Sequence, residues 1–167
     1  MAFLGRLLTK DSLRALNEVT TNLEFLVDAV TQISEFYRLC AGAMPKEEAL
    51  WNSLAEAEVR HADTVKRMIE MISREPKLYK PGILFSTVIV RMFALEMKRL
   101  VEQMIEGRIS PEDLFAKALQ IEESAVEVSY GKIVKTNDSV FNLLAHRIDS
   151  ESAEHRSLIS AKMIPKE

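Results

Sequence analysis

Apolar residues recur along this chain at steps of three and four, the spacing of one face of an α-helix. Leu16, Val19, Leu23, Leu26, Val27, Val30, Ile33 and Tyr37 form the first such stripe and predict a helix over residues 11–42. Leu50, Leu54, Glu58, His61, Val65, Met68, Ile69 and Ile72 form the second, over residues 45–74. Pro45 suits that helix's first position, where no amide hydrogen bond is lost, and Glu47 and Glu48 sit at the positive end of its dipole. Pro76, Pro81 and Gly82 are breakers, so residues 75–81 read as a loop. A third helix is predicted over residues 84–106, with Gly107 as its stop. Ser110-Pro111-Glu112-Asp113 joins a cap residue, a first-turn proline and two acids, and starts a fourth helix that runs to residue 134. Residues 135–138 read as a turn, and Asp138 or Ser139 caps a fifth helix ending near Met163. No stretch alternates with the period of a strand. The expected architecture is an all-α bundle, a single domain over residues 1–167.

Composition narrows the function classes. Only five glycines and five prolines interrupt the chain, which favours helices. A net charge of −3 excludes the basic footprint of a nucleic-acid binder. One cysteine, Cys40, excludes an intrachain disulfide and a Cys-x-x-Cys site, and fits a cytoplasmic protein. Residues 1–8 have neither the length nor the cleavage pattern of a signal peptide. The most apolar stretch, residues 82–97, is interrupted by Arg91 and Glu96 and falls short of the roughly 20 apolar residues of a membrane span.

The second stripe carries a conflict. It is apolar except at Glu58 and His61, which stand one turn apart in its middle. Burying ionisable groups is costly unless they are paired or bind a metal. Glu-x-x-His on an inward face lets one helix give two ligands to one ion. The fifth helix repeats the layout. Its inward stripe is Leu144, Ile148, Ser152, His155, Leu158 and Ile159, so His155 matches His61 and Ser152 stands where Glu58 stands. The fourth helix puts Glu122 on a stripe with Phe115, Leu119, Val126, Ser129 and Ile133. Aligning Glu35 with Glu127 sets Val30 opposite Glu122. Two helical hairpins joined by a long crossover make a four-helix bundle, with the third helix in the crossover.

Residues 54–61, Leu-Ala-Glu-Ala-Glu-Val-Arg-His, and residues 118–127, Ala-Leu-Gln-Ile-Glu-Glu-Ser-Ala-Val-Glu, resemble the helix signatures of the ferritin-like superfamily, in its rubrerythrin-related branch. The resemblance covers about residues 16–163 apart from the crossover. It implies a di-iron carboxylate site, with one Glu from each of two helices and a Glu-x-x-His from each of the other two. Carried over residue by residue, Glu58, His61, Glu122 and His155 are present as metal ligands. Val30 and Ser152 stand where two carboxylates are missing. The rubredoxin-like module of rubrerythrins proper is absent, so electrons for oxygen, peroxide or Fe(II) chemistry would come from an external donor. The cofactor implied is iron, one ion or two, with Zn or Mn as chemical alternatives.

The same residues admit a plainer reading, in which the four groups neutralise one another and hold no ion. The chain is then a catalytically inactive, dimeric ferritin-like interaction module. Glu24 and Glu151 are the nearest substitutes for the missing carboxylates, but both lie off the inward stripes. Tyr37 and Tyr130, one to two turns from the ligand layer, read as core tyrosines with tethered hydroxyls, with hydrogen-bond donors to the ligands as the alternative. Asp28, Glu35, Glu127 and His146 read as polar-face residues, and Cys40 as packing. The third helix is apolar on more faces than one bundle covers, which predicts a homodimer built on residues 84–106; a hydrophobic ligand or membrane surface is the alternative cover.

Overall fold

The computed structural model describes residues 9–83 and 86–163. The described residues are all-α apart from one short ribbon. Helix α1 spans Lys10–Ala43, α2 Glu48–Arg74, α3 Thr87–Ile105, α4 Leu114–Glu122, α5 Tyr130–Ile133 and α6 Ser139–Met163. Strands β1, Tyr79–Pro81, and β2, Val134–Thr136, pair antiparallel, with Tyr79 opposite Thr136 and Pro81 opposite Val134. The start of α1 is capped by Thr9, whose hydroxyl accepts from the Ser12 amide. Ser86 does the same for α3 through the Val88 amide. Both satisfy amides that a helix start leaves without partners.

The first two stripes meet as expected. α1 and α2 form an antiparallel hairpin in which the Ser34 hydroxyl donates to the Ala55 carbonyl at 3.0 Å and the Tyr37 and Trp51 rings lie 5.7 Å apart. α6 lies antiparallel to α2: Glu58 faces His155, His61 faces Glu151, and Glu47 meets Lys162 at 2.6 Å. α4 packs on α6, and its Phe115 stacks on Trp51 of α2 at 4.6 Å. α3 runs beside α1. Its Val90, Phe93, Met97, Leu100 and Val101 are buried, whereas Val88, Ile89, Met92 and Leu95 are exposed. The surplus apolar face of this helix is therefore real. Residues 84 and 85, the expected start of α3, lie outside the described residues, as do residues 1–8. No helix among the described residues is long and apolar enough to cross a membrane.

Two expectations are overturned. The single helix over residues 110–134 is broken: α4 ends at Glu122, and a turn of 3-10 helix at Glu127–Ser129 precedes the short α5. Ser124, Val126, Ser129 and Gly131 are weak helix formers, and hydroxyls there compete for the backbone. Ser124 Oγ accepts from the Glu127 amide at 3.3 Å, and the Ser129 hydroxyl donates to the Ala125 carbonyl at 2.7 Å. The second overturned expectation concerns residues 79–81, expected as loop, and residues 134–136, expected as the end of the fourth helix and the start of a turn, which form the ribbon. Leu158 also departs from its stripe and is 43% exposed, while Ile159 is buried.

The ribbon fixes how α2 and α6 slide past each other. It follows α2 and precedes α6, and its flanks are tied by side chains. The Thr136 hydroxyl donates to the Leu78 carbonyl at 2.8 Å, and the Tyr79 hydroxyl donates to Asp138 Oδ2 at 2.8 Å. Asp138 Oδ1 in turn caps α6 by accepting from the Val140 and Phe141 amides at 2.9 and 3.2 Å. Beyond the ribbon, the Gly82 amide donates to the Ile133 carbonyl at 2.8 Å and the Ile83 amide to the Lys132 carbonyl at 2.7 Å. A Cβ at residue 82 would fall on the Lys132 carbonyl oxygen and come within 3.0 Å of the Ile133 backbone. Backbone atoms cannot yield as a side chain can. Gly82→Ala is therefore expected to cost about 1–3 kcal/mol, read as a lower urea midpoint. Gly42→Ala, on helical backbone where nothing lies within 4 Å, serves as the control and is expected to leave the midpoint unchanged or raise it slightly. Equal midpoints for the two variants would refute the close approach.

Candidate metal centre

Three helices bring one buried group together. Glu58 comes from α2, Glu122 from the last residue of α4 and His155 from α6. Each has a ligand atom within 4.8 Å of the others, and the three residues are 1%, 1% and 5% exposed. His155 Nδ1 lies 3.2 Å from Glu58 Oε1 and 3.3 Å from Glu122 Oε1. These are ion-pair approaches without hydrogen-bond geometry. Glu58 Oε1, Glu122 Oε2, His155 Nδ1 and Ser152 Oγ are all buried with no hydrogen-bond partner. Buried polar atoms are normally partnered, so three orphans on the three converging residues are a chemical signal.

The spacing also suits an ion. An ion bonded at about 2.1 Å to oxygen and nitrogen ligands keeps those ligands roughly 3.0–3.4 Å apart. The two separations from His155 Nδ1, 3.2 and 3.3 Å, fall in that range. Two carboxylates and an imidazole suit Fe, Mn or Zn. The group can therefore hold a metal ion.

His61, the fourth expected ligand, is placed differently. Its Nδ1 lies 3.3 Å from Glu58 Oε2, and its Nε2 lies 2.9 Å from Glu151 Oε2. Its ring stacks on that of His155, with centroids 5.6 Å apart and planes 27° apart. Glu151 reaches inward to His61 from its position beside Ser152, and does not join the group of three. Glu24 is exposed and takes no part. Val30 and Ser152, the positions that lack a carboxylate, are both fully buried.

The tyrosines are tethered as expected. The Tyr37 hydroxyl donates to Glu122 Oε1 at 2.7 Å, and the Tyr130 hydroxyl donates to Glu127 Oε1 at 3.2 Å. The Glu122 backbone carbonyl accepts from Arg156 at 3.2 Å, which pins the end of α4 to α6. Cys40 is buried, and burial pushes its thiol up to about 12. His146 is exposed.

Glu127, expected on a polar face, is instead 1% exposed. On a continuous helix Glu122 and Glu127 would point about 140° apart. The break after Glu122 removes that constraint and lets both turn inward. The presumed equivalence with Glu35, which stays 47% exposed, fails here. The serines and glycine that weaken residues 124–131 were the available signal for the break.

Charge explains the titration of the cluster. Burial alone would raise Glu58, but His155 and His61 outweigh it and hold its carboxyl below the ordinary value. Burial raises Glu122, and the charge of Glu58 adds to it. Burial, with Glu58 and Glu122, drives Glu127 well above the usual carboxylate range. Burial would lower His155, but Glu122 and Glu58 outweigh it and push its imidazole up to about 10.

No family model, curated protein or solved structure matches the chain.

The His155 shift predicts a pH dependence. Its folded value, about 10, lies above the ordinary 6.5, so the stabilisation is full below pH 6.5 and is lost as pH rises through about 10. Metal-free protein should lose stability across that window by chemical denaturation. His155→Gln should flatten the slope. A slope unaltered by that change would refute the assignment.

Proposed function

We propose that the protein is a ferritin-like, rubrerythrin-related metal protein in which Glu58, Glu122 and His155 hold the ion. One observation carries this reading: three buried ligand atoms from three separate helices converge, and several have no other partner. The helical echo between residues 54–61 and the inward His155 supports the same family. Iron is the metal proposed, from the resemblance and from the carboxylate-imidazole donor set. Bound iron would supply a redox couple for reducing oxygen or peroxide, with electrons either from an external donor or from Fe(II) that is oxidised in the process.

This chain's own residues set the conditions for that chemistry. Tyr37 orients Glu122 through its hydroxyl, and Arg156 anchors the backbone of the same residue. The buried walls keep bulk water from the ligand atoms, which strengthens every charge interaction there. A dication would also offset the surplus of carboxylates over imidazoles that now raises Glu122 and Glu127.

Anaerobic Fe(II) titration followed by elemental analysis tests the reading. Wild-type protein is expected to retain iron after desalting, and Glu58→Ala and His155→Gln to lose it. Equal iron in all three, or none in any, would sink the proposal.

A second reading rests on a separate observation. The exposed Val88, Ile89, Met92 and Leu95 of α3 would suit a homodimer, and an inactive dimeric interaction module needs nothing else. Sedimentation velocity should show a dimer that Met92→Glu, Leu95→Glu converts to monomer. A wild-type monomer at micromolar concentration would remove this reading.

A further inference from the structure

His61 is the inward histidine whose place in the cluster differs from that of a ligand. Both of its ring nitrogens already face carboxylates, Nδ1 towards Glu58 and Nε2 towards Glu151. Glu58 divides its two oxygens accordingly: Oε2 meets His61, and Oε1 meets His155. The His61 and His155 rings stack, with 27° between their planes and centroids 5.6 Å apart. The ligand atoms that lie within 4.8 Å of one another belong to Glu58, Glu122 and His155, and no nitrogen of His61 joins that group. His61 is also 2% exposed, which leaves little room for its ring to turn over.

Glu151 is held at the other end. Its Oε1 accepts from Arg147 Nε at 3.0 Å, and its Oε2 lies 3.9 Å from Arg60. The Glu151 side chain is 22% exposed and lines a cleft of about 250 Å³ together with Arg60, His61, Asp63, Thr64 and Arg147. A continuous chain of contacts therefore runs from a surface arginine to the buried Glu58. Such outer partners fix the rotamer of a ligating carboxylate, and losing one typically weakens metal affinity roughly 10–100-fold.

We infer that His61 is a positioning residue and not a ligand: pinned by Glu151, it turns Glu58 towards Glu122 and His155, so that the bound ion carries a single imidazole. This rests on the metal reading above. It assigns to Glu151, on the protein surface, a part in metal affinity that its distance from the ion would not suggest.

Co(II) loaded anaerobically into the full chain tests it, by X-ray absorption and by the visible ligand-field bands. The wild-type complex is expected to show one imidazole per cobalt. His61→Gln and Glu151→Gln should keep the band positions of the wild type and bind Co(II) roughly 10–100-fold more weakly. Glu151→Gln preserves side-chain shape at a partly exposed site and serves if His61→Gln fails to fold. His155→Gln should lose the bands. Two imidazoles in the wild type, or shifted bands in folded His61→Gln, would make His61 a ligand and overturn the inference while leaving the metal reading intact. Undiminished affinity in both folded variants would also overturn it, by removing the positioning role. No Co(II) uptake by the wild type would overturn the inference and the metal reading together.

Discussion

The central constraint on this molecule is electrostatic. Glu58, Glu122 and Glu127 are buried together with His61 and His155, in a region closed to bulk water. Isolated charges in such a place would cost several kcal/mol each. The cost is contained by arrangement. Each imidazole approaches two carboxylates, and two tyrosine hydroxyls donate to two of the carboxylates. Three carboxylates still outnumber two imidazoles, and the raised pKa of Glu122 and Glu127 expresses that imbalance. The cluster is stable only if protons or a cation make up the difference.

The rest of the fold serves this arrangement. α2 and α6 must lie in one register for Glu58 to face His155 and His61 to face Glu151. At one end that register is set by the ribbon and the Tyr79–Asp138 hydrogen bond, and at the other by the Glu47–Lys162 pair. The break after α4 has the complementary task. It ends the helix at Glu122 and lets Glu127 and Tyr130 turn into the core. An unbroken helix would have sent Glu127 to the surface.

Much of this was legible in the chain itself. Helices α1, α2 and α6 follow their three-and-four stripes to within a few residues, because burial of one apolar face dominates their stability. Glu58, Glu122 and His155 stood out as charges on those stripes, and the fold brings them together. The break at residues 123–129 was not legible from the stripe, because Phe115, Val126 and Ile133 keep helical spacing across it. Local hydroxyl–backbone competition and the pull of the distant ribbon decide that segment. The ribbon itself has three-residue strands, too short for any period to register, and it is created by pairing between segments far apart in the chain. The partners of His61 were hidden for a similar reason. Glu151 is off the inward stripe of α6 by one position, yet its side chain is long enough to reach back.

The span of the contacts at the centre has a kinetic consequence. Tyr37 meets Glu122 across 85 positions of chain, and His61 meets Glu151 across 90. The α1–α2 hairpin can assemble from contacts only 21 positions apart, such as Ser34 with Ala55. Contacts of high sequence separation repay their loop-closure entropy only after the intervening chain has been ordered. The cluster therefore belongs to the end of folding and to no single hairpin. Until α6 docks, Glu58 and Glu122 stand without the imidazole of His155, and His61 stands without Glu151.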